Sequence, residues 1–429
     1  MVKNKKLKSF LALTCLAFIA SGVIFIFQYL VSLINTFINL PSVSSPIYFL
    51  LYFLFVIGIS ILEAMILKPP FLKGNLLTLR EYIIFDEKIH WLKGSLTVLI
   101  GCLLTFLLGL PLGGEAPSVF MVALLGEGIF HLFKNKTREL EGCYLGAGIG
   151  YSLAFINPLA GFSYYLEVEK MKINFRNFFK PIYVLLLSWG FYILWRYLAG
   201  IPNFYNYDAY TGIDFFQEPV ELYICIIIPF IAILFAYAFK KAVLTLKESL
   251  GADSHLHYIL STIIALVFIL LIKYSNQNIL LGNGGHLLTD LTIDFTTMDL
   301  VAFLIIRFLF TSITFNLFYA GGQVIPTIAL GALIGNVLVS LLGTNIELSE
   351  TVKTMMIVTT MLTFYAVLNN TYFTSFFLSL SFAPIHVMAL PLVISLGLAY
   401  LINRYLKNDS GLHQEILKKL VEFKKRKLG

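Results

Sequence analysis

The chain has 429 residues, of which 58% are apolar and 13% charged. An ordinary soluble domain carries about 25% charged residues, and here long apolar runs recur from end to end. This excludes a soluble protein or a soluble domain on one anchor and predicts a polytopic membrane protein. The net charge of +7 sits near the ends and in short loops, where it suits an anionic inner leaflet and calls for no nucleic acid.

Residues 8–34 follow a basic start, Lys3, Lys5, Lys6 and Lys8. The run is too long for a signal-peptide core and no small-residue cleavage site follows, so it reads as a first membrane helix. A second basic cluster, Lys418 to Lys427, closes the chain. By the positive-inside rule both termini are expected in the cytoplasm, with the protein in the cell membrane. Further apolar segments fall near 46–67, 95–112, 116–133, 142–166, 180–201, 220–238, 258–273, 300–320, 325–342, 354–368 and 372–402. Several are shorter than the ~20 residues a spanning helix needs. Segments broken by Gly or Pro survive at membrane depth only where protein or an aqueous cavity covers the backbone. Half-helices and tilted helices are therefore expected. Cys15, Cys102, Cys143 and Cys225 are scattered without metal spacing and read as small buried hydrophobes, so neither metal nor cofactor is implied.

Residues 109–130, GLPLGGEAPSVFMVALLGEGIF, carry the chemistry. Gly113 and Gly114 free the backbone, Ala116 follows Glu115, and Pro117 fits the first turn of a helix. Glu115 then stands at a helix N-terminus at membrane depth, where free N–H groups and the positive dipole end favour an anion. One reading is a capping glutamate in a lipid-shielded turn; the other is a functional carboxylate. Residues 319–335, YAGGQVIPTIALGALIG, repeat the grammar: two glycines, Gln323, Val324 and Ile325, a proline, then a helix with Gly331 and Gly335 spaced for close packing. Paired interrupted segments in the two halves point to a transporter built on repeats, with its site at their interface.

GGEAP resembles the GREGP motif of the chloride channel and transporter (CLC) family. GGQVIP with the helix after it resembles that family's GGIFAP-type motif, and residues 147–169, AGIGYSLAFINPLAGFSYYLEVE, resemble its glycine-rich stretch ending in an acidic pair. The blocks come in the family's order, and the likeness spans roughly residues 10–420. It implies an all-α polytopic fold, an inverted repeat of tilted and broken helices. The expected division is one transport domain over 1–429, with a first repeat at about 8–205, a second at about 218–405 and a basic tail at 406–429. A homodimer with one pathway per subunit is implied in the same way.

The resemblance also places residues. Glu115 matches the gating glutamate. Gly113, Gly114, Ala116 and Pro117 face Gln323, Val324 and Ile325 across an anion site. Gly114 and Ala116 stand where the family has a basic residue and a glycine. Lys73 falls where a serine contacts the central anion, with Gly74 beside it; the other reading of Lys73 is an interfacial snorkelling lysine. Glu167 matches the first of the acidic pair and Val168 the second, with Glu169 one residue on; the other reading of the glutamates is surface pairing with Lys170 and Lys172. His413 falls at a central tyrosine, or else on the cytoplasmic surface beside the tail. The expected function is chloride transport gated by protonation of Glu115, as a proton-coupled exchanger or a channel. Another small anion such as fluoride is the alternative. An intramembrane enzyme using Glu115, Glu167 and His413 is a remote one, without a metal pair or nucleophile elbow to support it.

Overall fold

The computed structural model describes residues 2–38, 46–66, 74, 79, 90–133, 139–167, 175–201, 219–250, 259–267, 270, 280, 282–289, 295–317, 319–344, 347–406, 411, 412 and 415. Fourteen α-helices run through them. The first half holds α1 (Val2–Ile38), α2 (Pro46–Ile66), α3 (Trp91–Leu107), α4 (Glu115–Leu132), α5 (Glu139–Ala154), α6 (Pro158–Glu167) and α7 (Phe175–Leu198). The second holds α8 (Pro219–Leu250), α9 (His286–Thr289), α10 (Thr297–Asn316), α11 (Val324–Gly343), α12 (Glu350–Asn369), α13 (Tyr372–Leu378) and α14 (Ile385–Tyr405). Eight helices are long and apolar enough to cross a membrane. The apolar windows of α4, α11 and α12 are 78% buried, against 28% for that of α7. The first three therefore form the protein centre, and helices such as α7 present apolar side chains outward, Leu186 and Leu198 among them.

Two apolar segments divide where their sequence demands it. The run 142–166 breaks at Asn157, whose Oδ1 accepts from the backbone N–H groups of Leu159 and Ala160, both at 3.0 Å, and so starts α6. The run 372–402, expected as one segment, is two helices. A short 3₁₀ turn, Ser379–Ser381, ends the first, and Pro384 heads the second. Proline offers no N–H and turns the preceding residue away from helical geometry, which favours the break at Pro384, although Pro391 is accommodated inside α14.

The halves repeat the same packing with the elements in the same order. The contacts of α3 with α4, α4 with α5, α5 with α6, and α6 with α7 recur as α10 with α11, α11 with α12, α12 with α13, and α13 with α14. The long first helix of each half packs on its last: α1 on α7, and α8 on α14. Small residues let the central helices approach. A Cβ at Gly146 would strike the Val122 carbonyl, and one at Gly150 would lie 2.6 Å from the Val119 Cα. In the second half a Cβ at Gly331 would lie 2.5 Å from the Met361 Cα, and one at Gly335 2.7 Å from the Ile357 Cα. The same backbone approach thus joins α4 to α5 and α11 to α12.

Gly331→Leu is expected to destabilise the protein by about 1–3 kcal/mol or more through overpacking. Gly58→Ala, at a site open for 4 Å, should be neutral or stabilising by up to ~1 kcal/mol. Thermal unfolding in detergent measures both.

Candidate functional site

The two glycine motifs meet. Gly113 and Gly322 form an antiparallel β-bridge. The Gly113 N–H donates to the Gly322 carbonyl at 2.8 Å, and the Gly322 N–H to the Gly113 carbonyl at 2.7 Å. Two residues after each bridged glycine a helix begins, α4 at Glu115 and α11 at Val324. Because the bridge is antiparallel, the two helices leave it in opposite directions. This is the local signature of an inverted repeat, and it puts two N-termini at one point.

The pairing fixes the register. Gly113 corresponds to Gly322, and counting on from each, Pro117 corresponds to Pro326 and Ser118 to Thr327. Both hydroxyls do the same thing: Ser118 donates to the Gly114 carbonyl at 2.8 Å and Thr327 to the Gln323 carbonyl at 2.7 Å. The expected match of Gly113-Gly114 with Gly321-Gly322 is thereby shifted by one residue, and the counterpart of Glu115 is Val324. A single carboxylate serves the pair of helix starts.

Close approach requires the glycines. A Cβ at Gly322 would collide with the Ala116 Cβ, and one at Gly321 (φ +150°) would lie 2.7 Å from the Leu112 Cβ. A Cβ at Gly113 would collide with Glu115 Oε2 and come within 3.1 Å of Pro326 Cδ. The Glu115 carboxylate therefore folds back over Gly113 towards the start of α11. The backbone amides of Glu115 itself and of Ile325 lie beside it, and its buried Oε2 reaches no hydrogen-bond donor. Neither helix start has a side-chain cap. Gln323, at the second, is buried with its amide N and O both unpartnered. Phe27 and Phe106 wall the first: a Cβ at Gly114 would meet them at 2.9 and 3.3 Å.

The remaining expected residues divide. Gly74 (φ +68°) is buried against the first motif, where its Cβ would lie 3.5 Å from the Pro117 Cα. Lys73, Val168, Glu169 and His413 lie outside the described residues. Gly411 and Leu412 are buried; Leu412 joins the core that holds Leu112 and Tyr319. Glu167 ends α6, and its carboxylate accepts from the Phe373 N–H at 3.0 Å and the Thr374 N–H at 2.7 Å. It caps α13 across the interface between the halves. From the other end of the same antiparallel pair, Asn157 Nδ2 donates to the Phe377 carbonyl at 2.8 Å.

Among the buried ionic groups that escaped the sequence reading, Glu63 and Arg307 are almost fully enclosed. Glu63 on α2 is 1% exposed; its Oε1 accepts from the Ala320 N–H at 2.7 Å and from the Thr105 hydroxyl at 2.5 Å. It thus anchors the residue just before Gly321. Glu63 and Glu115 both act electrostatically on the buried Cys102 thiol, so the carboxylates are neighbours. Arg307 on α10 donates to the carbonyls of Leu280 (3.2 Å) and Gly282 (3.0 Å), and the Gly282 N–H donates to the Gly109 carbonyl at 2.9 Å. The loop before α9 is thereby tied to the start of the first motif. Each is a lone ionisable residue in an apolar run, ISILEAMIL and FLIIRFLF, the signal that singled out Glu115.

The family model described as voltage gated chloride channel matches residues 78–404. The chain belongs to the voltage gated chloride channel family. Among curated relatives, an uncharacterised protein of Methanocaldococcus jannaschii is 27% identical over 60% of this chain and 63% of its own. The H(+)/Cl(-) exchange transporter ClcA of Vibrio vulnificus is 29% identical over 53% of this chain and 49% of its own. The matches thus span about half to two thirds of those relatives. A slow cyanobacterial Cl−/H+ antiporter shares the fold with a TM-score of 0.77 at 17% identity, covering 97% of this chain and 98% of that one. A CLC-type fluoride/proton antiporter does so at 0.69 and 20%, covering 91% and 94%. The protein is therefore a multi-pass integral membrane protein with the CLC-type inverted repeat of tilted and broken helices.

Replacing Glu63 by Leu leaves the Ala320 N–H without its acceptor, while the Thr105 hydroxyl keeps the Gly101 carbonyl at 3.1 Å. The expected cost is roughly 1–3 kcal/mol for that orphaned group, with Glu63→Gln milder. Thermal unfolding in detergent reads the difference, and equal midpoints for wild type and Glu63→Leu would deny Glu63 its anchoring role.

Proposed function

We propose that the protein moves chloride across the membrane through the point where α4 and α11 begin, with Glu115 as a protonation-dependent gate. The observation that carries this is the Gly113–Gly322 bridge, which aims two uncapped, buried helix N-termini at one place. An ion stripped of water loses tens of kcal/mol of solvation unless donors replace it. Each helix start offers free N–H groups and about half a positive charge. Two together supply about one unit, enough to match a monovalent anion. Gln323 adds an unpartnered amide whose N–H₂ suits the same guest.

Ionised, the Glu115 carboxylate is itself a fitting anion. It competes with chloride for these donors and closes the path. Protonated, it loses its attraction to the dipoles and yields the place. Flux should therefore rise as pH falls. Glu167 is proposed as a proton station on the far side of the α6–α13 pair, which makes proton-coupled exchange the version we favour; the Vibrio exchangers and the cyanobacterial antiporter lend it support by name. Lys73, Gly74 and His413 are proposed to line the central part of the same path. The working form is proposed as a homodimer in the cell membrane with both termini cytoplasmic. The two repeats are assigned to about 8–205 and 218–405, with 406–429 as the tail.

In liposomes loaded with chloride, Glu115→Gln is expected to pass chloride at a rate independent of pH and to move no protons with it. Wild-type pH dependence in the variant would remove Glu115 from the gate. Fluoride efflux outpacing chloride in the same assay would transfer the reading to that anion.

A further inference from the structure

Two tyrosines that the gate does not use meet at the centre of the molecule. Tyr151 on α5 and Tyr365 on α12 are 0% and 2% exposed, and their hydroxyl oxygens lie 3.3 Å apart. They are counterparts in the repeat, each six residues before the N-cap of the short helix that follows, Asn157 and Thr371. The pair therefore stands on the line where the two halves face each other. The Tyr151 ring stacks on that of Tyr164 at 4.5 Å and 13°, and Tyr164 lies one turn before Glu167 on α6. The Glu167 carboxylate acts electrostatically on both hydroxyls, and the Glu115 carboxylate acts on that of Tyr365. Tyr365 thus lies within electrostatic reach of both carboxylates, and Tyr151 within reach of Glu167. Around it the core is apolar, with Ala147, Phe155, Ala366 and Leu378 in the same cluster.

Phenylalanine would fill these places as well by volume, and a buried hydroxyl is costly unless bonded. Two hydroxyls carry two protons. Their mutual hydrogen bond uses one, which leaves one further proton and free lone pairs directed away from the pair. From this we infer that the Tyr151–Tyr365 hydroxyl pair conducts protons between Glu115 and Glu167. The inference rests on the proton-coupled reading above. In the step, the protonated Glu115 carboxyl gives up its proton. Each phenol accepts a proton on its oxygen as it releases its own, and the Glu167 carboxylate takes the last one. No phenolate forms, charge is conserved, and rotation about the two C–O bonds restores the starting orientation. The transfer requires water to enter between each carboxylate and the nearer hydroxyl.

The competing view is that the hydroxyls only fasten the repeats together. Tyr151→Phe and Tyr365→Phe, each of which keeps the ring and breaks the pair, decide between them. Chloride efflux and proton uptake are recorded together in liposomes, with wild type alongside. Conduction predicts near-normal chloride efflux with proton uptake reduced on the order of tenfold or more. An unchanged proton-to-chloride ratio in either variant overturns the inference, and so does a parallel fall of both fluxes, which assigns the pair to fastening alone. If wild type itself moves no protons with chloride, the coupled reading falls and takes the inference with it. Coupling in wild type that persists in the variants removes the inference alone.

Discussion

The pair of hydrogen bonds between Gly113 and Gly322 is the constraint on which the rest of the molecule depends. Backbone at membrane depth must find its partners within the protein. Here the two irregular stretches find them in each other, which leaves the first-turn N–H groups of α4 and α11 unspent. Had each motif been capped by its own side chain, as Asn157 caps α6, those donors would be occupied. Glycine is required on both sides because any Cβ would meet Glu115 Oε2 or the Ala116 Cβ. The bridge also sets the geometry of the whole. An antiparallel pair sends its helices apart, so one local contact and the inverted arrangement of the halves are the same fact.

Around that contact the structure is pinned from several sides. Glu63 holds the approach to Gly321 through the Ala320 N–H, and Arg307 ties the loop at 280–285 to Gly109. Gly74 closes against Pro117. These groups are buried charges or positive-φ glycines, and each would be expensive elsewhere. Their shared effect is to keep two short, irregular stretches in one geometry, so that donors stay aimed at one place. Among the described residues, Glu115 is the group at the helix starts that can change its charge. A rigid cradle with a single titratable occupant is what a protonation-dependent gate requires.

Much of this was legible in the chain. Glycine pairs followed by proline in each half marked the helix starts, and a lone carboxylate in the first marked the gate candidate. The spacing of Gly331 and Gly335 foretold the close approach of α11 to a neighbour. Other features were out of reach for physical reasons. The bridge that matches Gly113 to Gly322 joins motifs some two hundred residues apart, which no local pattern foretells, although the equal four-residue step from each of these glycines to its proline carries the register. Glu167 matches the first of an acidic pair by resemblance, with surface pairing as its other reading, but that its carboxylate caps α13 is known only once the halves are packed. Tyr151 and Tyr365 look like ordinary core aromatics until the repeat lays them face to face. Glu63 and Arg307 carried a signal in their apolar surroundings, the same that drew attention to Glu115.

The central claim is that the bridged helix starts bind an anion in the place that the Glu115 carboxylate otherwise takes. Bromide substitutes for chloride and scatters anomalously, so a crystal structure of Glu115→Gln grown in bromide tests it directly. The account predicts an anomalous peak within hydrogen-bond reach of the backbone N–H groups at the starts of α4 and α11, close to Gln323, and a weaker peak there in wild type at high pH. A Glu115→Gln structure with bromide bound only elsewhere, and none at the Gly113–Gly322 bridge, would contradict it.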